Sequence, residues 1–237
     1  MATLNPTIVE ERRPQPGGGG GAPPHGGEGG GGDGRDDGRN DFGSRLRRNR
    51  IGMAVALAPV AMLFVAFTSA YIVRQGLGED WRSMVLPRIL WINTAILLAS
   101  SVTLELARRG LTRQAALAEL PSVPGVAPVK APAAPWLAIT LVLGLGFLAG
   151  QWVAWSQLAR QGIFISSNPS SSFFYLLTGA HAVHLAGGVL ALLYAAATAV
   201  RSHAWEKRRM VVDVTSWYWH FMALLWIYIF ALLQLAK

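Results

Sequence analysis

Residues Ile51–Val73, IGMAVALAPVAMLFVAFTSAYIV, run for 23 positions without one charged side chain. A helix needs about 20 mainly apolar residues to cross the hydrocarbon core of a bilayer, so this stretch predicts a membrane span. Four comparable runs follow, Leu86–Ala107, Trp136–Leu158, Phe173–Val200 and Val214–Ala236. Inside lipid a backbone can satisfy its N–H and C=O groups only within its own segment, which makes each run α-helical. The fold class expected is an all-α membrane protein, a bundle of five transmembrane helices. The fourth run is the longest, which leaves room for tilt or for extension beyond the hydrocarbon.

Composition agrees. Only 14% of the 237 residues are charged, against about 25% in soluble domains, and the mean hydropathy is +0.34. The formal net charge of +8 suggests nucleic acid at first sight. A nucleic-acid surface needs its charges gathered on one face, whereas here they fall in short clusters between apolar runs. Their placement is that of topogenic charge. Arg45, Arg47, Arg48 and Arg50 precede the first run; Arg108, Arg109, Arg113 and Lys130 follow the second; Arg201, Lys207, Arg208 and Arg209 follow the fourth. The intervening segments carry only Arg74, Arg82, Arg88, Arg160 and Lys237. Basic and poor segments alternate as five crossings require, with the N-terminus cytoplasmic and the C-terminus outside.

Residues 1–44 are dominated by Gly, Pro, Arg and Asp, including Gly17–Gly21 and Gly29–Gly32. Such a segment buries too little apolar surface to offset its ordering entropy and is expected to be a disordered cytoplasmic tail, leaving 45–237 as the membrane domain. No strand precedes the glycines and no Gly-Lys-Ser/Thr follows, so they are not a phosphate loop. Nor does the N-terminus read as a cleavable signal peptide. The chain has no cysteine, which removes disulfides, thiolate metal sites and cysteine nucleophiles. The segment Gly110–Pro135, with five prolines, reads as an extended linker. Trp152, Trp155, Trp217, Tyr218 and Trp219 lie near the ends of the runs, where amphipathic rings settle at the headgroups.

Ionisable groups inside a membrane are costly and are functional candidates by default. Glu105 shares a helical stripe with Thr94, Leu98 and Ser101, and Arg108 lies three residues on, which fits an i,i+3 pair at the interface. Gly146 and Gly150 form a Gly-x-x-x-Gly pattern suited to close approach by a neighbouring helix. His181 and His184 are expected on one face of the fourth helix, with Gly187 and Gly188 a turn further; His220 is on the fifth. A dihaem b-type cytochrome would need four histidines in facing pairs, and only these three lie in the apolar runs. A three-histidine metal site is possible if helices four and five touch, while hydrogen bonding between helices is the commoner role of such side chains. Asp213 and His220 are about 10.5 Å apart along a helix and do not pair directly; Asp213 fits an N-cap of the fifth helix. No nucleophile–base pair or carboxylate dyad is present, so no catalytic residue and no metal ligand is assigned.

Trp217-Tyr218-Trp219-His220-Phe221 with Trp226, just after Asp213, resembles the last helix of haem-copper (cytochrome c) oxidase subunit III. Phe173–His184 with Gly187-Gly188 resembles the penultimate helix of that family, and Asn93-Thr94 with Leu97-Leu98 and Ser100-Ser101 its Asn-Thr helix. Gly52-Met53 and Ala70-Tyr71 fit the preceding one. The resemblance runs in order from about residue 51 to the C-terminus and is similar to the short five-helix bacterial form. It implies a subunit of the proton-translocating complex of the bacterial inner membrane that passes electrons to oxygen. Such a subunit holds no haem or copper itself, packs beside the catalytic subunit I with subunit II in the same complex, and keeps phospholipid in its helix clefts. In that role it supports proton uptake and lasting turnover. It further implies that His181, His184, Asp213, Trp217, His220, Trp226, Asn93 and Glu105 serve the interior, the lipid clefts or a subunit interface. Two positions depart from the family pattern: Val60 replaces a buried glutamate and Ala223 an aspartate. The alternatives are an accessory subunit of nitric oxide reductase, with the same fold, and the dihaem cytochrome.

Overall fold

The computed structural model describes residues 34–77, 86–118, 133–202 and 204–235. They form five helices, α1 (Gly34–Leu77), α2 (Ile89–Ala118), α3 (Ala133–Arg160), α4 (Pro169–Arg201) and α5 (Trp205–Leu235). All five are long and apolar enough to cross a membrane, and the described residues contain no strand. The first, third and fourth apolar runs lie wholly within α1, α3 and α4, while α2 starts at Ile89, inside the second run, and α5 starts at Trp205, before the fifth.

The extensions have local causes. At α4, Asn168 caps the helix: its side chain accepts from the Ser171 N–H while Ser171 answers the Asn168 N–H, with Pro169 in the first turn. The polar Pro-Ser-Ser-Ser segment is therefore helical although hydropathy passes over it. The boundary drawn at residue 44 needs correction, because α1 already begins at Gly34. An Asp41–Arg45 pair spans one turn, and Phe42 is buried against the Trp205 ring with the Arg209 guanidinium 5.3 Å from its centroid. That tertiary anchor is invisible to composition. The remainder of the expected tail lies outside the described residues, as does most of the expected linker. Gly110, taken as the start of that linker, lies inside α2. After α3 the chain turns at Gly162, whose φ of 75° suits a residue without Cβ.

Packing separates α1 from the rest. Helices α2, α3, α4 and α5 form a closed ring in which each touches its neighbours, whereas α1 packs on α4 and α5 and not on α2. Its buried residues explain this: Leu57, Phe64, Thr68 and Tyr71 make one narrow stripe, with exposed apolar residues on either side. Phe64 meets the His184 ring, Tyr71 meets Phe173, and Tyr228 donates to Thr68.

Between ring helices the recurring link is an indole N–H given to a hydroxyl. Trp219 Nε1 donates to Ser100 Oγ at 3.0 Å, Trp226 Nε1 to Thr94 Oγ1 at 3.0 Å, and Trp155 Nε1 to Thr178 Oγ1 at 3.1 Å. Thr103 and Thr140 join α2 to α3 at 2.8 Å. Lipid tails offer these donors nothing, and such bonds contribute roughly 1 kcal/mol each in a membrane bundle. The expectation of a headgroup position for Trp219 is corrected: it is fully buried, because α5 starts at Trp205 and leaves Trp219 near its middle.

The two glycines of the Gly-x-x-x-Gly pattern also differ from each other. A Cβ on Gly150 would overlap the Asn93 side chain, while one on Gly146 would meet nothing. Gly144, which the pattern leaves out, faces Trp219, whose Cη2 would lie 2.7 Å from an added Cβ. Gly188 lies against Tyr218 and Trp219, and Gly187 has the Tyr218 hydroxyl at an ordinary 3.7 Å. Gly150→Ala is therefore expected to separate α2 from α3 and to destabilise the bundle by about 1–3 kcal/mol. Gly146→Ala should leave the thermal midpoint of the detergent-solubilised chain unchanged. Equal midpoints for the two variants would contradict this packing.

Candidate functional site

Five alternating helices bring the N-terminal part of α1, the C-terminal part of α2 and the N-terminal part of α5 to one end of the bundle. At that end their charges meet. Asp213 is buried, with 6% of its side chain exposed. It accepts two bonds from Arg50, Nε to Oδ2 and Nη2 to Oδ1, both 2.7 Å, and one from Arg108 Nη1 at 3.2 Å. Arg108 turns its other edge to Glu105, donating from Nε at 2.7 Å and Nη2 at 2.9 Å. Arg109 adds a third bond to Glu105 at 2.8 Å, and His220 Nε2 lies 3.8 Å from Glu105 Oε2. The forked guanidinium suits both carboxylates at once. The result is one chain of charges, Arg50–Asp213–Arg108–Glu105, tying three helices together.

The expected Glu105–Arg108 pair is present, as part of this larger network. Asp213 is not an N-cap; α5 begins well before it at Trp205, and its partners come from α1 and α2. Asp213 and His220 do not pair directly, in keeping with their spacing, and are linked only through Arg108 and Glu105.

Because α1 and α2 do not pack on each other, a groove of about 730 Å³ opens between them, floored by α5. Ala54, Leu57, Ala58 and Ala61 form its α1 wall; Ser216, Trp217, His220, Phe221 and Leu224 form the floor. Small side chains on one wall keep it wide. Trp217 is 45% exposed and holds the Arg50 guanidinium 5.9 Å from its ring centroid. Arg50 and Arg108 line the groove and also a second pocket of about 540 Å³. That pocket contains Arg50, Arg108, Arg109, Arg113 and Arg209 with Glu105 and Asp213, five positive charges against two negative. The apolar groove thus shares Arg50 and Arg108 with a pocket that carries an excess of three positive charges.

The three histidines do not converge. His181 is fully buried in the ring, against Phe147 and Trp226. His184 is bonded through Nδ1 to the Ala180 carbonyl at 2.7 Å and faces Phe64 of α1. His220 is in the groove. His181 and His184 stand only about 60° apart around α4, but that helix borders both the ring and α1, so one imidazole packs in the ring and the other against α1. Among the described residues no group of three or more His, Cys, Asp or Glu is placed to hold a metal ion. Asn93 and Trp226 are buried, Trp226 bonded to Thr94 and Asn93 packed on Gly150.

Sequence reading paired Arg108 with Glu105 but missed its bond to Asp213, missed Arg109 as a network member, and treated Arg50 as topogenic only. A signal existed: Glu105 and Asp213 stand at ends of apolar runs that five alternating crossings bring to the same side as Arg50.

A ring sealed by aromatic–hydroxyl bonds, a helix leaning on it, and five helices long enough to cross a bilayer together define a multi-pass helical membrane protein. The profile of the family described as cytochrome c oxidase subunit III matches residues 49–235, and the chain belongs to that family. A probable cytochrome c oxidase subunit 3 of Mycobacterium leprae is 34% identical over 102 residues, 43% of this chain and 50% of that relative's length. The match thus spans only half of that protein. Longer matches are to a cytochrome c oxidase subunit 3 of Corynebacterium diphtheriae, 31% identical over 76% of this chain and 84% of the relative. One of Thermostichus vulcanus is 27% identical over 78% and 86%.

Proposed function

We propose that this chain is the non-catalytic third subunit of a cytochrome c oxidase in a bacterial inner membrane, assembled with subunits I and II. It stabilises the catalytic subunit and supports proton uptake by holding phospholipid in the α1–α2 groove. The single observation that carries the lipid role is that the apolar groove and the arginine pocket share Arg50 and Arg108. Acyl chains fit beside Ala54, Ala58 and Phe221, and a phosphate headgroup fits at Arg50, Arg108, Arg113 and Arg209. Haem and copper belong to the partner subunits on this reading, and the chain supplies packing and surface charge. Val60, half-buried on α1, and Ala223, buried on α5, cannot carry protons, so a proton-uptake role falls to the charged end. Deleting the chain is expected to leave the haem spectrum of the oxidase in place. Turnover should then decline over successive cycles. Loss of the haem spectrum on deletion would refute the accessory role.

The arginine-rich end is cytoplasmic on this reading, with the N-terminus inside and the C-terminus outside. Single cysteines introduced into this cysteine-free chain test it. An impermeant thiol reagent applied to intact cells should label position 237 and spare position 113. The reverse pattern would invert the orientation.

A further inference from the structure

One group of buried side chains serves neither the charged end nor the groove. Among the described residues Asn93 Nδ2, Gln151 Nε2 and Oε1, and both ring nitrogens of His181 have no protein hydrogen-bond partner. All three residues are at most 1% exposed. Helix contacts put them at one level of the ring. The Trp155–Thr178 bond fixes the antiparallel register of α3 and α4, and one turn further along lie Gln151 and His181, both buried. Gly150, next to Gln151, is the residue on which Asn93 packs. Trp226 closes the level from α5, its ring 5.1 Å from that of His181 and its Nε1 on Thr94, the neighbour of Asn93.

Unpartnered polar atoms are rare in protein interiors, and in a membrane the surroundings offer no remedy. The chemistry of the five atoms selects what can partner them. Two amide nitrogens donate, the glutamine oxygen accepts, and a neutral imidazole presents one donor and one acceptor. A cation would face the amide N–H groups, and an anion would face Oε1. Only a small ligand that both donates and accepts answers all of them. We propose that the ring interior between Asn93, Gln151 and His181 is a binding site for water. It would hold about two molecules, since a buried water makes about three hydrogen bonds. The waters complete the polar core that α2, α3 and α4 build in common, and the site belongs to the ring itself, whichever complex the chain joins.

The test is a density map of the complex extracted from its native membrane, at a resolution that shows ordered water elsewhere in the helices. The expected result is non-protein density within about 3 Å of a His181 ring nitrogen and of the Gln151 amide. A map of Gln151→Leu should lose the density beside residue 151 while the Trp226–Thr94 and Trp155–Thr178 bonds persist. Direct bonding of the Gln151 amide to His181, with no density between the three side chains, would overturn the site. So would an unchanged pattern of density in Gln151→Leu. The wild-type map decides even if the variant fails to assemble.

Discussion

Trp219→Ala is expected to lower the stability of the chain by about 3 kcal/mol. The indole fills the ring between Gly144 of α3 and Gly188 of α4 and donates to Ser100 of α2. Its removal loses contacts with three helices and leaves a void. In a membrane the transfer from water contributes little, so the loss is mainly dispersion and one hydrogen bond. Trp217, two residues earlier, is the control. It is 45% exposed and faces the groove, and Trp217→Ala should leave the thermal midpoint of the detergent-solubilised chain nearly unchanged. The two midpoints, measured side by side, decide. A larger effect at Trp217 than at Trp219 would mean that α5 is rotated from the orientation described.

Asp213→Leu should be the most damaging single change at the charged end, destabilising by on the order of 2 kcal/mol. It removes three charge-assisted bonds and leaves Arg50 without its carboxylate, while Arg108 keeps Glu105. A fully buried pair would cost more. Both arginine side chains are about one-third exposed, so solvent and headgroups screen part of the loss. Glu105→Gln keeps one acceptor oxygen for Arg108 and should cost less. Thermal melting and the yield of assembled complex, compared across both variants, measure this. An Asp213→Leu chain as stable as the parent would show that the network contributes nothing to the bundle.

The five crossings were legible because hydrocarbon thickness imposes a run length that no soluble fold requires, and the runs of this chain meet it. The family was legible from Trp217–Phe221 and Asn93–Ser101, where unusual residues stand in fixed order. Helix ends were not, since a cap such as Asn168–Ser171 is polar and a docking contact such as Phe42–Trp205 is tertiary. Residue roles divided the same way. Glu105 found its i,i+3 partner, a local relation. Asp213 found partners 163 and 105 positions away, which only the packing of α1 and α2 around α5 reveals. Gly150 and Gly146 look identical in sequence, and their difference depends on where Asn93 points. His181 and His184 share a helix turn but not an environment, because α4 borders both the ring and α1.

Helix α1 is made first, and the surfaces it packs on are made last. Its stripe meets α4 and α5, so the ribosome must add everything from Leu77 to Arg201 before even the nearer partner is complete. At about 5–20 residues per second that is a wait of roughly ten seconds. Throughout it Leu57, Phe64, Thr68 and Tyr71 face lipid or whatever holds the nascent helix beside the exit gate. Thr68 meanwhile keeps its hydroxyl on the Phe64 carbonyl, so that side chain carries no bare donor into the interval. Birth order and final neighbourhood are thus reversed in this chain, and its first helix is the last to come home.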